Sequence, residues 1–285
     1  MASLSDLDGL YQATLRFRNS EEYAKLLHYV AQFREYKPFN LFLIRLQHPG
    51  CGYVATPADW RRRFRREVVK HSRPIIILRP FGPVMCVYDA ADTTGDTPIP
   101  DAFEPFKASG ALDSEVWNRT IANAKQIGIF IETLPAPTND AGRAYRLPPR
   151  EKHKPEFGVK VNHNLDQAAQ YITLVHELAH ILCGHCGPTR KDGRDNRSNL
   201  PEAVREFEAE SVAYLVAARQ RLETDHPRYL ASYVGPDGLI PEIDIATVFS
   251  VANTVEELGR KTPPKPAKPE SGQETKEGLF EKEAD

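Results

Sequence analysis

The sequence predicts an α+β protein on three observations. Long stretches place apolar residues at helical spacing, and short β-branched runs are bounded by turn residues. One helix also carries His176-Glu177-Leu178-Ala179-His180, a His-Glu-x-x-His pattern. At 285 residues the chain can form one large or two modest domains, with enough apolar content for real cores. A formal net charge of −2 gives no global pull towards nucleic acid or a membrane. No apolar run has the length of a membrane span, so no membrane partner is expected. The opening Met1–Asp6 is polar and acidic where a signal peptide is basic and then apolar, and four cysteines are too few for a disulfide framework. The expected location is the cytoplasm.

The first helix is expected over Glu21 to about Arg34, with Tyr23, Leu26, Leu27, Val30 and Phe33 on one side and Ser20 as its cap. A second apolar run, Phe39 to Leu46, ends in the turn residues His48-Pro49-Gly50. Thr56 and Pro57 provide a cap and a first-position proline for a helix leading into Trp60. Pro74–Leu78 and Val84–Tyr88 flank Arg79-Pro80-Phe81-Gly82-Pro83 and read as a hairpin. Asp92 to Gly110 is rich in Thr, Pro, Gly and Asp, which predicts an irregular connection and a domain boundary near its end.

The second half begins with a helix from Ser114 to Gln126 and a short strand from Gly128 to Ile131. Thr133 to Lys154 has loop composition, and Phe157–Asn162 alternates as a strand does. Asn164 and Gln167 have capping-box spacing before the helix that bears the two histidines, and Gly184 is placed to end it. Further helices are expected over Pro201–Leu222 and Ile243–Leu258. From Lys261 onward Pro, Lys and Glu dominate, a composition that cannot offset the entropy of ordering. The expected organisation is therefore an α+β domain over residues 1–110, a second domain over 111–259 and a disordered tail over 260–285.

On a helix, His176 and His180 are stacked on one face, so two imidazoles can converge on one zinc ion while Glu177 beside them serves as general base. That combination is the chemistry of a zinc hydrolase of peptide bonds. The bland reading is an ordinary helix with buried, hydrogen-bonded histidines. The third ligand defines the subclass. A metzincin needs Gly three residues after the second histidine and another His three beyond, and those positions hold Cys183 and Cys186. His185 follows the expected helix stop and is not expected to reach the metal. The remaining candidates are Glu206, Glu208 and Glu210. Glu206 and Glu210 share a face with Ala209 and Ala213, whose small side chains permit close packing, whereas Glu208 points towards Ser211 and Val212. This favours Glu206 as ligand and Glu210 as a carboxylate that holds a ligand histidine by its other ring nitrogen. The extended Gly158–Asn162 segment is the expected edge on which a peptide docks. Cys183, His185 and Cys186 have no distant matching pair, so a second zinc site is not expected and the two cysteines read as buried or inert thiols.

Tyr171 to His185, with Glu206-Phe207-Glu208-Ala209-Glu210 downstream, resembles the ImmA/IrrE metallopeptidases and the peptidase half of ArdC-type antirestriction proteins. The resemblance implies a zincin-like, gluzincin-type fold, a zinc ion and action on a regulatory protein target. Pro38-Phe39-Asn40, Gly52–Thr56, Trp60 and Arg73-Pro74-Ile75-Ile76 also resemble the N-terminal DNA-binding domain of ArdC-type proteins, though Lys70-His71-Ser72 stands where that family commonly has Lys-Gly. The basic run Trp60, Arg61, Arg62, Arg63, Phe64, Arg65 and Arg66 is nearly uncompensated. Its arginines can neutralise phosphates and its aromatics can stack on unpaired bases, so DNA, especially single-stranded DNA, is an expected partner. The plain alternative is an amphipathic helix with Trp60 and Phe64 inward. The leading expectation is thus a zinc metallo-endopeptidase recruited by a DNA-binding half. The rival is a DNA-binding antirestriction or stress-regulatory protein whose metal site is not proteolytic.

Overall fold

The computed structural model describes residues 14–33, 35–79, 82, 84–95, 97, 111–136, 141–148, 156–188, 195–222 and 230–262. The connection over 98–110, part of the loop after Gly187 and the tail from 263 lie outside the described residues.

The architecture is mixed α+β. Helix α1, Ser20–Gln32, starts one residue earlier than predicted, at Ser20 itself. Asn19 is the cap, its Oδ1 accepting from the backbone N–H groups of Glu21 at 3.0 Å and Glu22 at 3.2 Å. Helix α2 is Pro38–Gln47 and helix α3 is Pro57–Phe64, capped by Thr56 as the sequence predicts. Strands β1 (Val54–Ala55), β3 (Ile75–Leu78) and β4 (Val84–Asp89) form a small sheet in the order β1-β4-β3, with the predicted hairpin paired Ile75 to Val87 through Leu78 to Val84. Strands β2 (Glu67–Val68) and β5 (Thr93–Thr94) pair beside it. The outer edge of β3 is covered rather than open. Asn40 and Gln47, two turns apart on α2, bond the N–H and C=O of Leu78 and Ile76 in the manner of a neighbouring strand.

The second half contributes helix α4 (Ser114–Gln126), strands β6 (Ile129–Leu134), β7 (Gly142–Arg146) and β8 (Phe157–Asn162), and helices α5 (Gln167–Leu182), α6 (Glu202–Arg219) and α7 (Ile245–Arg260). The sheet order is β6-β8-β7, parallel between β6 and β8 and antiparallel between β7 and β8. Two expectations change here. Strand β7 lies in a stretch read as loop, and β8 is the central strand with both edges paired, so Gly158–Asn162 cannot present a free edge to a peptide. Strand β8 is buried almost throughout, as a central strand must be. The cap of α5 also differs from the capping-box expectation: Asp166 accepts from the N–H of Ala169 at 2.8 Å.

Helix α1 packs on α6, and α2 packs on α7, so the N-terminal helices share a core with the helices of the second half. Tyr23 meets Phe207 at 5.5 Å between ring centroids, and Phe42 stacks on Phe249 at 5.1 Å. Arg219, at the end of α6, is buried against this seam. It donates to the carbonyls of Val30, Phe33 and Tyr36 and pairs with Glu256 of α7. Among the described residues no helix is long and apolar enough to cross a membrane.

Candidate metal centre

Helices α5 and α6 pack face to face along their small residues, with Ala179, Ala209 and Ala213 fully buried. This close approach lays the glutamates of α6 beside the histidines of α5. His176 Nε2 and His180 Nε2 lie 3.0 Å apart, Glu206 Oε2 is 3.5 Å from the first and Glu206 Oε1 is 3.5 Å from the second. Nitrogen and oxygen ligands about 2.0–2.1 Å from a tetrahedral ion stand about 3.3–3.4 Å from one another. A triangle of this size, built from two imidazoles and a carboxylate, therefore fits one such cation without rearrangement. Glu208 faces away from this triangle, and Glu210 Oε1 lies 3.5 Å from the other ring nitrogen of His176, Nδ1. The structure thus brings Glu206 to the histidines and Glu210 behind His176.

Residues 124–251 match the IrrE N-terminal-like domain, Peptidase_M78. No curated protein matches the chain. Two solved structures of the antirestriction protein ArdC from plasmid R388 are similar to it. The Mn(II)-bound one is 18% identical over 79% of this chain and 87% of that chain, with a TM-score of 0.36. The metal-free one is 16% identical over 79% and 83%, with a TM-score of 0.33. The matched segment contains every residue of the histidine–glutamate cluster.

The electrostatics of this cluster follow from its geometry. Pairing with His176 and His180 holds the Glu206 carboxyl well below the usual carboxylate range. Burial opposes charge on His176, but Glu206, Glu210 and Glu177 outweigh it and its pKa is raised. Burial pushes the Glu177 carboxyl up, against the pull of His176, His180 and the backbone amide of Ala144. A carboxylate raised in this way is a better proton acceptor near neutral pH than an exposed one.

Strand β7 supplies what the sequence did not show. It is the outer strand of the sheet among the described residues, and it crosses α5 at very short range. A Cβ on Gly142 would sit 2.6 Å from the Lys160 carbonyl oxygen, 2.6 Å from Thr173 Cγ2 and 3.6 Å from Glu177 Cγ. Glycine lets the strand lie against the helix beside Glu177. Gly142→Ala is expected to push β7 off α5 at a cost of about 1–3 kcal/mol, the usual range for overpacking. Thermal unfolding of the variant checks this, and an unshifted midpoint would show that β7 is free to move. Gly158 is needed for a related reason, since the Tyr145 ring of β7 lies across it.

The predicted end of α5 stands, with Gly184 in the left-handed region at φ +83°. His185 does fold back, but onto His180 rather than towards the metal triangle: the two Nδ1 atoms are 3.1 Å apart. Glu208, fully buried, takes His185 Nε2 at 2.9 Å and both terminal nitrogens of Arg197 at 2.8 and 2.6 Å. The sequence offers Glu208 only as a ligand candidate, and nothing in it points to Arg197. Cys183, His185 and Glu208 do lie together, yet Glu208 is committed to Arg197. Burial pushes the Cys186 thiol up to about 11, in keeping with inert cysteines.

The basic run of the N-terminal half is only partly available. Trp60 is fully buried, donating from Nε1 to the Tyr88 carbonyl and packing edge-on to Tyr53, so it is no platform for a base. That corrects the expectation for Trp60, because Trp60 and Phe64 form the inward face of α3. Arg66 is also committed, to Thr93, Gly95 and Thr97. Arg63 pairs with Glu35 and Arg62 with Asp59. Arg61, Arg62, Arg63 and Arg65 remain exposed at the surface.

Proposed function

We propose that the chain is a zinc-dependent metallo-endopeptidase of the gluzincin type, acting on a regulatory protein target. The observation that carries this reading is the convergence of His176 Nε2, His180 Nε2 and the Glu206 carboxylate, with Glu177 on the next position of the same helix. His176, His180 and Glu206 hold the ion, and Glu210 steadies His176 from behind. When bound, zinc supplies Lewis-acid polarisation of the scissile carbonyl and acidifies a water molecule. Glu177 takes the proton of the attacking water on its carboxylate and passes it to the leaving amine. Strand β7, the outer strand of the sheet among the described residues, rather than β8, is where an extended peptide would dock, its backbone lying beside Glu177. The expected setting is the cytoplasm.

Purified protein is expected to bind one zinc ion and to cleave an unfolded protein substrate, with hydrolysis stopped by a chelator and restored by added zinc. Glu206→Ala should lose stoichiometric zinc, as read by elemental analysis. Full zinc occupancy in that variant would overturn the ligand assignment, and wild-type protein that binds zinc without hydrolysing any peptide would favour the second reading. That reading, a DNA-binding antirestriction or stress-regulatory protein whose metal site is not proteolytic, draws its support from the arginines exposed on and just after α3.

A further inference from the structure

Two buried polar groups stand at a place the peptidase reading leaves unexplained. Glu208 and His185 are almost wholly buried, have no access to a substrate and do not belong to the metal triangle. They are nevertheless joined to it. His180 Nδ1 meets His185 Nδ1 at 3.1 Å, His185 Nε2 meets Glu208 Oε2 at 2.9 Å, and Arg197 grips both carboxylate oxygens. The backbone N–H of Asp244, at the start of α7, adds a further bond to Glu208 Oε1 at 2.8 Å.

Arg197 already balances the charge of Glu208, so a buried His185 carries no charge of its own, and for that neutral ring the direction of every bond in the chain follows. A carboxylate that receives three donors accepts only, so His185 Nε2 must carry its proton and donate to Glu208. A neutral His185 then has a bare Nδ1, which can only accept, so His180 Nδ1 must carry the proton between them. That leaves His180 Nε2 with a lone pair and no proton, facing His176 and Glu206. A histidine can ligate a metal only through such a nitrogen.

We propose that His185, Glu208 and Arg197 are positioning residues that lock His180 in the Nδ1–H form and hold its ring in the plane that serves the metal. The proposal rests on the metal-centre reading above and deepens it. Each member comes from a different element. Gly184 turns the chain after α5 so that His185 returns to His180, and its carbonyl accepts the backbone N–H of Arg197 at 3.1 Å. Arg197 Nη1 also bonds the Cys183 carbonyl at 3.2 Å, which ties the loop before α6 to the end of α5. Helix α6 supplies Glu208 on the face opposite to Glu206 and Glu210. The same helix therefore ligates through one side and orients through the other, while the neighbouring histidine, His176, is backed directly by Glu210.

The test uses the full chain and two variants. Glu208→Gln keeps size but replaces one oxygen by an amide donor. Arg197 Nη2 and the Asp244 N–H hold the remaining oxygen, so the amide faces His185 Nε2 and reverses the chain. Two-bond proton–nitrogen correlation spectra of the protein stripped of metal report the tautomer of His180. The wild type is expected to show Nδ1–H, and Glu208→Gln to show Nε2–H or a mixture. Zinc affinity, measured by competition with a chromophoric chelator, is expected to fall about 10–100-fold, as for other partners that orient a metal-bound histidine. His185→Phe removes the acceptor outright and should give the same loss if Glu208→Gln does not fold. An unchanged His180 tautomer with unchanged zinc affinity in the variants overturns the proposal while leaving the metal reading intact. Wild-type protein that binds no zinc sinks the metal reading, and the ring-nitrogen spectra still decide the direction of the chain.

Discussion

Glu177→Gln is expected to leave the protein folded and zinc-loaded while peptide hydrolysis falls by about 10²–10⁴-fold, the range for loss of a general base. Glu177 is buried on the same helix as the two histidines but is not one of the three groups that converge. The substitution therefore preserves shape and metal ligands and removes only the proton acceptor. Its amide retains an oxygen for the Ala144 backbone N–H, so β7 should stay in place. Hydrolysis is to be followed beside zinc content, because loss of both would point to a disrupted centre instead. Any DNA binding through Arg61, Arg62 and Arg65 should be unaffected. Undiminished hydrolysis in Glu177→Gln would remove Glu177 from the mechanism altogether.

Arg219→Met is expected to cost about 3–5 kcal/mol of stability, the usual effect of breaking a buried pair by deleting one partner. Arg219 is 3% exposed and Glu256 is 2% exposed. Met fills the volume but leaves Glu256 without its main partner and strips donors from the carbonyls of Val30, Phe33 and Tyr36. Those three carbonyls lie where α1 ends and the chain turns towards α2, so the loss should loosen the N-terminal helices from α6 and α7. Denaturant unfolding measures the change. The double variant Arg219→Met, Glu256→Met should recover part of it, since no charge is left buried, but not all, because the carbonyls stay unsatisfied. An unchanged midpoint in the single variant would mean that other donors replace Arg219.

The parts of this protein written in local pattern were legible in the sequence. Helices α5 and α6 show their apolar stripes plainly, Thr56-Pro57 marks the start of α3, and Gly184 marks the end of α5. The β-branched Ile75-Ile76-Ile77 with Val84–Tyr88 shows a hairpin. Helical periodicity also placed Glu206 and Glu210 on the face with Ala209 and Ala213. Strand β7 was not legible, because Gly142-Arg143-Ala144-Tyr145-Arg146 has two arginines and a glycine and none of the apolar alternation of a strand. It is a strand because β8 lies beside it and α5 beneath it, and its glycine is there for close approach rather than for a turn. The fate of Trp60 was equally open. A tryptophan among arginines can stack on a base or enter a core, and only the packing of Tyr53, Phe64 and Tyr88 around it decides for the core.

The sequence by itself determined the chemistry on offer at the centre: two imidazoles one helical turn apart, a carboxylate beside the first, and further carboxylates at helical spacing on a second helix. Those are properties of the i, i+4 repeat and need no tertiary contact to be read. Tertiary structure decided which groups meet. It selected Glu206 for the triangle with His176 and His180, put Glu210 behind His176, buried Glu208 against Arg197 and returned His185 to the back of His180. The reason is physical: the angle and depth at which α6 settles on α5 depend on small buried side chains from both helices, and no local pattern encodes the rotation of one helix against another.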